Sequence, residues 1–410
     1  MASVVAMCTA RSVQHAVVSA LGGGVRVQSL PSTRLTQVFR LICRHKSSHV
    51  SLLASCRQYT SDSAGKMSRL PEKVLMGIGN PLLDITISAD EAFLQKYDLE
   101  SNNAIVADKE KHAALFDDMV KNHTPAYGAG GATQNAIRVA QWMLQQPKVT
   151  TFLGCVGDDE EAHLLQHAAE RDGVYVHYCV TDKDSTGICG AIITGEDRSL
   201  IANLGAAKHL SCDWLLQQDN WTLVKTAQFY YIAGFLYQTC PAAVHKIAEH
   251  ASENNKTLAM NLSAPALCTY FSDPQINMMP YIDVLFGNGV EAEVFCKQLG
   301  IPIGNHANMA LAVADLPKKN RDRSRIVVFT RGPRSTIVAR DGKVTEYPIL
   351  PIDKSTIKDT NGCGDAFVGG FLSQLVQGCP LEECVRCGNY AAHTILQYWG
   401  CNYPVTPDFK

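Results

Sequence analysis

The chain has 410 residues, 46% apolar and 19% charged, an ordinary globular balance that allows a large buried core. Its 37 basic and 39 acidic residues leave a net charge of -2, which excludes a strong field toward nucleic acid or an anionic membrane and points to small-molecule partners. The longest apolar runs fall short of the roughly 18 residues a membrane-spanning helix needs.

The first segment differs from the rest. Residues 1–66 carry Arg11, Arg26, Arg34, Arg40, Arg44, Lys46, Arg57 and Lys66 against Asp62 as the only acid, amid Ser, Ala and Val. Basic, Ser-rich, acid-poor composition is that of a mitochondrial transit peptide, and Arg57-Gln58-Tyr59 resembles a matrix-processing site. A disordered tail has the same composition. A product begun at Met67 would lack the signal and stay in the cytosol and nucleus. Residues 1–68 are therefore set apart as a leader, and about 340 residues remain for one large domain with an appendage or for two unequal domains.

Beyond the leader, apolar runs alternate with amphipathic stretches. Strands are expected at 73–79, 149–157, 228–236, 257–264, 283–288 and 325–330, and helices at 133–146, 158–171, 242–254 and 291–299. Continuous apolar strands alternating with helices predict an α/β fold, a parallel sheet covered on both faces. Residues 84–107 and 174–204 instead alternate polar with apolar, which predicts a small half-exposed β-sheet acting as a lid over the strand ends.

Several motifs fall at the junctions. Residues 77–84, GIGNPLLD, lack the third glycine of a dinucleotide fingerprint, and Pro81 opposes a helix starting there. Asn80 and Asp84 fall at a strand end, where a carboxylate suits vicinal sugar hydroxyls, although Asp84 also reads as a plain turn residue. GAGGATQN at 128–135 opens a helix; Gly130 and Gly131 expose backbone to a ligand, and Asn135 offers a fixed amide. Arg198 is a mobile cation near the lid. Asn288 and Glu291 can organise magnesium through water, or form an ordinary capping box. Thr330 and Gly332 follow another strand.

Residues 359–371, DTNGCGDAFVGGF, set Asp365 behind a Gly362-Cys363-Gly364 corner at the start of an apolar helix. A helix mouth nearly free of side chains presents orphan N–H groups to an anion of phosphate size. An aspartate in that turn can take the proton of an alcohol beside the phosphate, the division of labour of phosphoryl transfer to a hydroxyl. A glycine-rich loop capping a structural helix reads similarly. No GxxxxGK[ST] occurs, which excludes a Walker-type nucleotide fold. The 15 cysteines are scattered, as in a reduced compartment. The Cys384 and Cys387 pair falls at helical spacing, no HExxH occurs, and no structural metal is expected.

From about Val74 to the C-terminus the chain resembles the ribokinase-like (PfkB) carbohydrate and nucleoside kinases, and within them the branch that phosphorylates adenosine. The strings that carry the resemblance are GIGNPLLD, GGATQN, RSLIANL, YIAGF, NLSAP, DVLFGN with Glu291, DTNGCGDAFVGGFLSQLV and the terminal PDFK. It implies a three-layer core with a β-lid at 69–410, acting as a monomer. The implied reaction is magnesium-dependent transfer of the γ-phosphoryl group of ATP to the adenosine 5′-hydroxyl. Asp365 would be the general base, with the amides of Gly362, Cys363 and Gly364 as anion hole. Asp84, Asn80, Gly130, Gly131 and Asn135 would grip the ribose, and Leu82, Val106, Leu200 and Leu204 would line the purine slot. Asn288 and Glu291 would hold Mg2+ through water, while Arg198, Thr330 and Gly332 would meet the ATP phosphates.

Four positions depart from the family pattern. Cys363 replaces a usual Ala, and Ala132 a frequent Ser. Leu236 and Ala266 stand where phenylalanines are common, a loss worth about 1 kcal/mol of purine binding per ring. Another ribokinase-like sugar or nucleoside kinase, or a catalytically silent binding protein, would share the same frame.

Overall fold

Continuous burial along the central strands, with helices on both of their faces, builds the molecule in layers. The computed structural model describes residues 69–410 apart from 102, 109, 113 and 196; the leader at 1–68 and its processing site lie outside the described residues. In chain order the first strands are β1 (Leu75–Ile78), β2 (Leu82–Ser88), β3 (Ala104–Val106), β4 (Ala126–Gly130), β5 (Thr150–Gly157), β6 (Tyr175–Thr181) and β7 (Gly187–Thr194). Then come β8 (Asp197–Asn203), β9 (Phe229–Ala233), β10 (Thr257–Asn261), β11 (Val284–Asn288), β12 (Ile326–Arg331), β13 (Arg334–Arg340) and β14 (Lys343–Tyr347). The main helices are α1 (Glu91–Lys96), α2 (Leu115–Asn122), α3 (Ala132–Leu144), α4 (Glu160–Arg171), α5 (Pro241–Glu253), α6 (Gly289–Gln298), α7 (His306–Ala314), α8 (Cys363–Leu375) and α9 (Leu381–Ile395).

The larger sheet has nine strands in the order β14-β13-β12-β11-β10-β9-β1-β5-β6. Pairing is parallel from β12 through β6, and the β13–β14 hairpin adds antiparallel at one edge. Side chains alternate across it as the strand period requires. Met76, Ile78, Leu285 and Phe329 enter the main core with α5, α6 and α7. The neighbouring positions face the other way. An added Cβ at Gly77 would meet Ile137 Cγ1 of α3 at 2.4 Å, and Phe286 packs edge-on against Phe371 of α8, ring centroids 5.1 Å apart. Both faces are thus covered, which is why the strands read as continuous apolar runs.

The second sheet has five strands in the order β3-β8-β7-β2-β4. Its buried face, with Ile85, Ile87, Ile192 and Ile201, packs on Phe93 and Leu94 of α1 and Leu115 and Met119 of α2. Two sequence expectations are corrected here. The run 174–180, expected in the small sheet, is β6 at the edge of the large one, where one open edge leaves its side chains half-exposed and mimics a half-buried strand. Residues 128–130, read as the opening of a helix, instead end strand β4, which pairs antiparallel with β2.

Glycines set the approach of α8 to its neighbours. A Cβ at Gly369 would lie 2.5 Å from the Ala136 carbonyl of α3, and one at Gly370 2.6 Å from the Cys387 carbonyl of α9. Gly370→Ala gains about 1 kcal/mol of helix propensity but must push a backbone away, an overpacking cost of about 1–3 kcal/mol. The variant is expected to unfold at lower denaturant with unchanged slope; an unchanged or higher midpoint would show that α8 and α9 can separate freely.

Candidate active site

The C-terminal ends of β1 and β9 open onto one cavity of about 380 Å³, a size suited to a small-molecule ligand. The chain leaves β1 for β2, in the small sheet, and returns to opposite sides of β1 through β5 and β9, so the cavity lies at a topological switch point. The small sheet contributes Leu82, Asp84, Val106, Arg198 and Leu200 to its wall; Leu204 follows β8. Val106 is 50% exposed despite its apolar side chain.

Two helix mouths converge on this space. At the start of α3, Gly131 has φ 91°, and a Cβ there would lie 2.2 Å from the Asn80 carbonyl, so only glycine fits. Thr133 Oγ1 accepts the Ala233 N–H at 3.1 Å, tying this mouth to the end of β9. At the start of α8, Gly362 has φ 75° and provides no side-chain cap. A Cβ at Gly364 would meet nothing within 4 Å, so the first turn stands open to an anion. The preceding loop is held by Asp359, whose carboxylate accepts the N–H groups of Asn361 at 2.7 Å and Gly400 at 2.9 Å.

Asp365 stands in that first turn, half-buried in the cavity. Asn135 donates Nδ2–H to its Oδ2 at 3.1 Å, joining α3 to α8. Burial pushes the Asp365 pKa up to about 7 against the opposing effects of the Asn135 bond and Arg198. Asp84 is also raised to about 7, by burial first and then by the negative charge of Asp365, with Arg198 acting against them. Arg198, half-buried on β8, therefore favours the ionised form of both acids.

Glu291 lies in the same cavity and is likewise raised to about 7 by burial. It completes a capping box with Asn288: Glu291 N–H donates to Asn288 Oδ1 at 2.9 Å, and Asn288 N–H donates to Glu291 Oε2 at 2.9 Å. Asn288 Nδ2 also donates to Oε1 at 2.7 Å. Thr330 is the β12 neighbour of Asn288 in register and lines the cavity.

Fifteen of the sequence-derived residues fall in one wall, and three do not. Gly130 sits behind Asp84: a Cβ there would collide with Asp84 Oδ1 at 2.1 Å, so its role is to leave space for that carboxylate. Gly332 lies in the tight turn between β12 and β13, with φ 57°. The Cys363 side chain packs in the apolar cluster with Trp142 and Cys401, and its N–H donates to the Thr360 carbonyl at 3.4 Å. Burial raises its thiol to about 12. Two roles are also refined. Asn135 spends its donor on Asp365, and Asn80 already bonds Phe235 O at 3.4 Å and Thr239 Oγ1 at 2.9 Å.

Sequence reasoning missed Phe235, Thr133, Asn261, Ser263 and Asn361 in the lining. Phe235 and Asn261 stand at the ends of β9 and β10, so a search of every strand C-terminus would have found them. Phe235 adjoins Leu236 in the wall, with Phe286 and Phe367 also present, so aromatic area remains without rings at Leu236 and Ala266.

A sequence profile described as pfkB family carbohydrate kinase matches residues 95–408. Adenosine kinase 1 of Arabidopsis thaliana is 47% identical over 337 residues, 82% of this chain and 98% of that protein. The crystal structure of Anopheles gambiae adenosine kinase in complex with P1,P4-di(adenosine-5) tetraphosphate superposes with a TM-score of 0.79 at 38% identity, covering 82% of this chain and 99% of that one. Adenosine kinase from Schistosoma mansoni in complex with 2-fluoroadenosine gives a TM-score of 0.79 at 33% identity, over 82% and 98% of the two chains.

Gly130→Ala is expected to displace the Asp84 carboxylate and weaken ligand binding in the cavity at least tenfold by calorimetry. Retained affinity would show that Asp84 does not need its present place.

Proposed function

This chain belongs to the pfkB family of carbohydrate kinases, and within it we propose that it transfers the γ-phosphoryl group of ATP to the 5′-hydroxyl of adenosine, giving AMP and ADP for purine salvage. The observation that carries the reading is the meeting of Asp365, at an open helix mouth, with Asp84 and Glu291 in one cavity. The relatives' identity and their near-complete coverage support adenosine as the acceptor.

In the proposed reaction Asp84 accepts hydrogen bonds from the ribose hydroxyls, and Leu82, Val106, Leu200 and Leu204 enclose the purine. The ribose also meets Asn80 and the Gly131 backbone. Asp365 takes the 5′-hydroxyl proton as the alcohol oxygen bonds to the γ-phosphorus and the bond from that phosphorus to the β,γ-bridging oxygen breaks, releasing ADP. The amides of Gly362 and Gly364 and the Arg198 guanidinium stabilise the charge on the transferring group. Arg198 and Thr330 meet the ATP phosphates. Closure of the small sheet over Val106 excludes water that would compete with the alcohol.

Glu291 and Asn288 suit a divalent cation held through water. Each carboxylate oxygen already accepts a bond from Asn288, and among the described residues no cluster of three or more His, Cys, Asp or Glu could cage a metal. Hydrated Mg2+ needs few protein oxygens and, bound with ATP, neutralises phosphate charge. Among the described residues no helix is long and apolar enough to cross a membrane. The basic leader supports mitochondrial import of the full chain, and a form begun at Met67 would remain in the cytosol and nucleus.

Asp365→Ala is expected to lower kcat by at least about 10²-fold while the adenosine Kd stays within a few-fold; an active variant would remove the proposed base. Asp84→Ala should mainly raise the KM for adenosine, and an unchanged KM would reject its ribose role.

The pH profile supplies an independent check. The base works ionised, and a folded pKa near 7 leaves Asp365 protonated below that pH. The kcat/KM for adenosine should therefore fall as pH drops through about 7, with the slope approaching about tenfold per unit well below it and becoming steeper if Asp84 must ionise too. A flat profile down to pH 5.5 would contradict the assignment.

A further inference from the structure

Arg138 lies outside the cavity wall, and its guanidinium bonds two backbone segments that adjoin the site. It is carried by α3 and is 2% exposed. Its guanidinium donates through Nε to Asp172 Oδ2 at 2.8 Å, and through Nη1 to the carbonyls of Ala129 at 3.0 Å and Cys401 at 3.4 Å. Ala129 precedes Gly130, the residue that gives Asp84 its space. Cys401 follows Gly400, whose N–H is held by Asp359, and the same carboxylate holds the Asn361 N–H next to the Gly362 mouth. The C-terminal segment is fixed in turn: Tyr403 O–H donates to Asp172 Oδ2 at 2.7 Å and its ring stacks on Trp142 at 4.8 Å.

We propose that Arg138 is a positioning residue for phosphoryl transfer, one buried guanidinium that sets the spacing between the nucleoside grip and the phosphate-binding helix mouth through Ala129 on one side and the Cys401 segment on the other. The inference rests on the kinase reading above. A planar guanidinium holds several acceptors in fixed relative directions, whereas an ammonium is a point donor that keeps the charge and loses the fork. Each half retains its own binding groups, Asp84 for the nucleoside and the open α8 turn for phosphate. Loss of Arg138 therefore leaves each ligand bound and puts the reacting atoms out of register. A misplacement of about 1 Å costs on the order of 10²-fold in rate.

The test compares the wild-type enzyme with Arg138→Lys, well below each unfolding midpoint. The binary Kd for adenosine and for Mg2+ with a non-hydrolysable ATP analogue, measured by calorimetry, should stay within about threefold, while kcat falls about 30-fold or more. The acid limb of kcat/KM should not move, because the charge is conserved. Should Arg138→Lys fail to fold, Asp359→Asn cuts the next link: an amide offers one acceptor oxygen where two N–H groups now bond a carboxylate, and the same split of lost kcat and kept Kd is expected. An unchanged kcat in the folded variant, or a kcat loss matched by an equal loss of either binary affinity, would overturn the proposal. A wild-type enzyme that does not turn over adenosine would instead reject the kinase reading beneath it.

Discussion

The hydrogen bond from Asn135 to Asp365 joins two helix mouths that face a common space, and the rest of the site depends on that convergence. Helix starts carry unsatisfied N–H groups and partial positive charge. Here α3 uses its mouth to tie into the ends of β1 and β9 through Gly131 and Thr133, while α8 leaves its own open behind Gly362. The two helices come this close because Gly369 removes side-chain volume where α8 crosses Ala136 of α3. The glycines of FVGGF, inside the helix, are packing devices that bring α8 close to α3 and α9.

Burial then sets the chemistry. Asp84, Asp365 and Glu291 share one cavity, and loss of water raises each toward neutrality. Among the described residues lining that space Arg198 is the one cation. An acid poised near neutral pH is a useful base for an alcohol, because it is ionised often enough to act and basic enough to accept the proton. Hydroxyl groups offered to Asp84, or a cation beside Glu291, would favour their ionised forms, so ligand binding and proton state are linked.

Much of this could be read from the residues in order. The parallel strands show because both faces are covered and their apolar runs are unbroken, as in β9, and the helix mouth at 359–365 shows because a first turn free of side-chain volume needs glycine there. What stayed hidden depends on contacts distant in sequence. Asn135 and Asp365 are 230 residues apart, so no local pattern announces the bond between this amide and that carboxylate. Gly130 reads as a ligand-contact residue because nothing local shows Asp84 lying between it and the cavity. Strand β6 alternates like a half-buried strand because it is an edge, and the β13–β14 hairpin was overlooked because its outer strand is mostly polar.

The central claim is that Asp365 removes a proton and forms no bond to phosphorus, so that the phosphoryl group passes directly from donor to alcohol within one cavity. Transfer from ATP made chiral at the γ-phosphorus reads this most directly. The account predicts inversion of configuration in the nucleotide product, the outcome of a single in-line displacement. Net retention would mean two displacements through a phosphorylated enzyme group, and would contradict it.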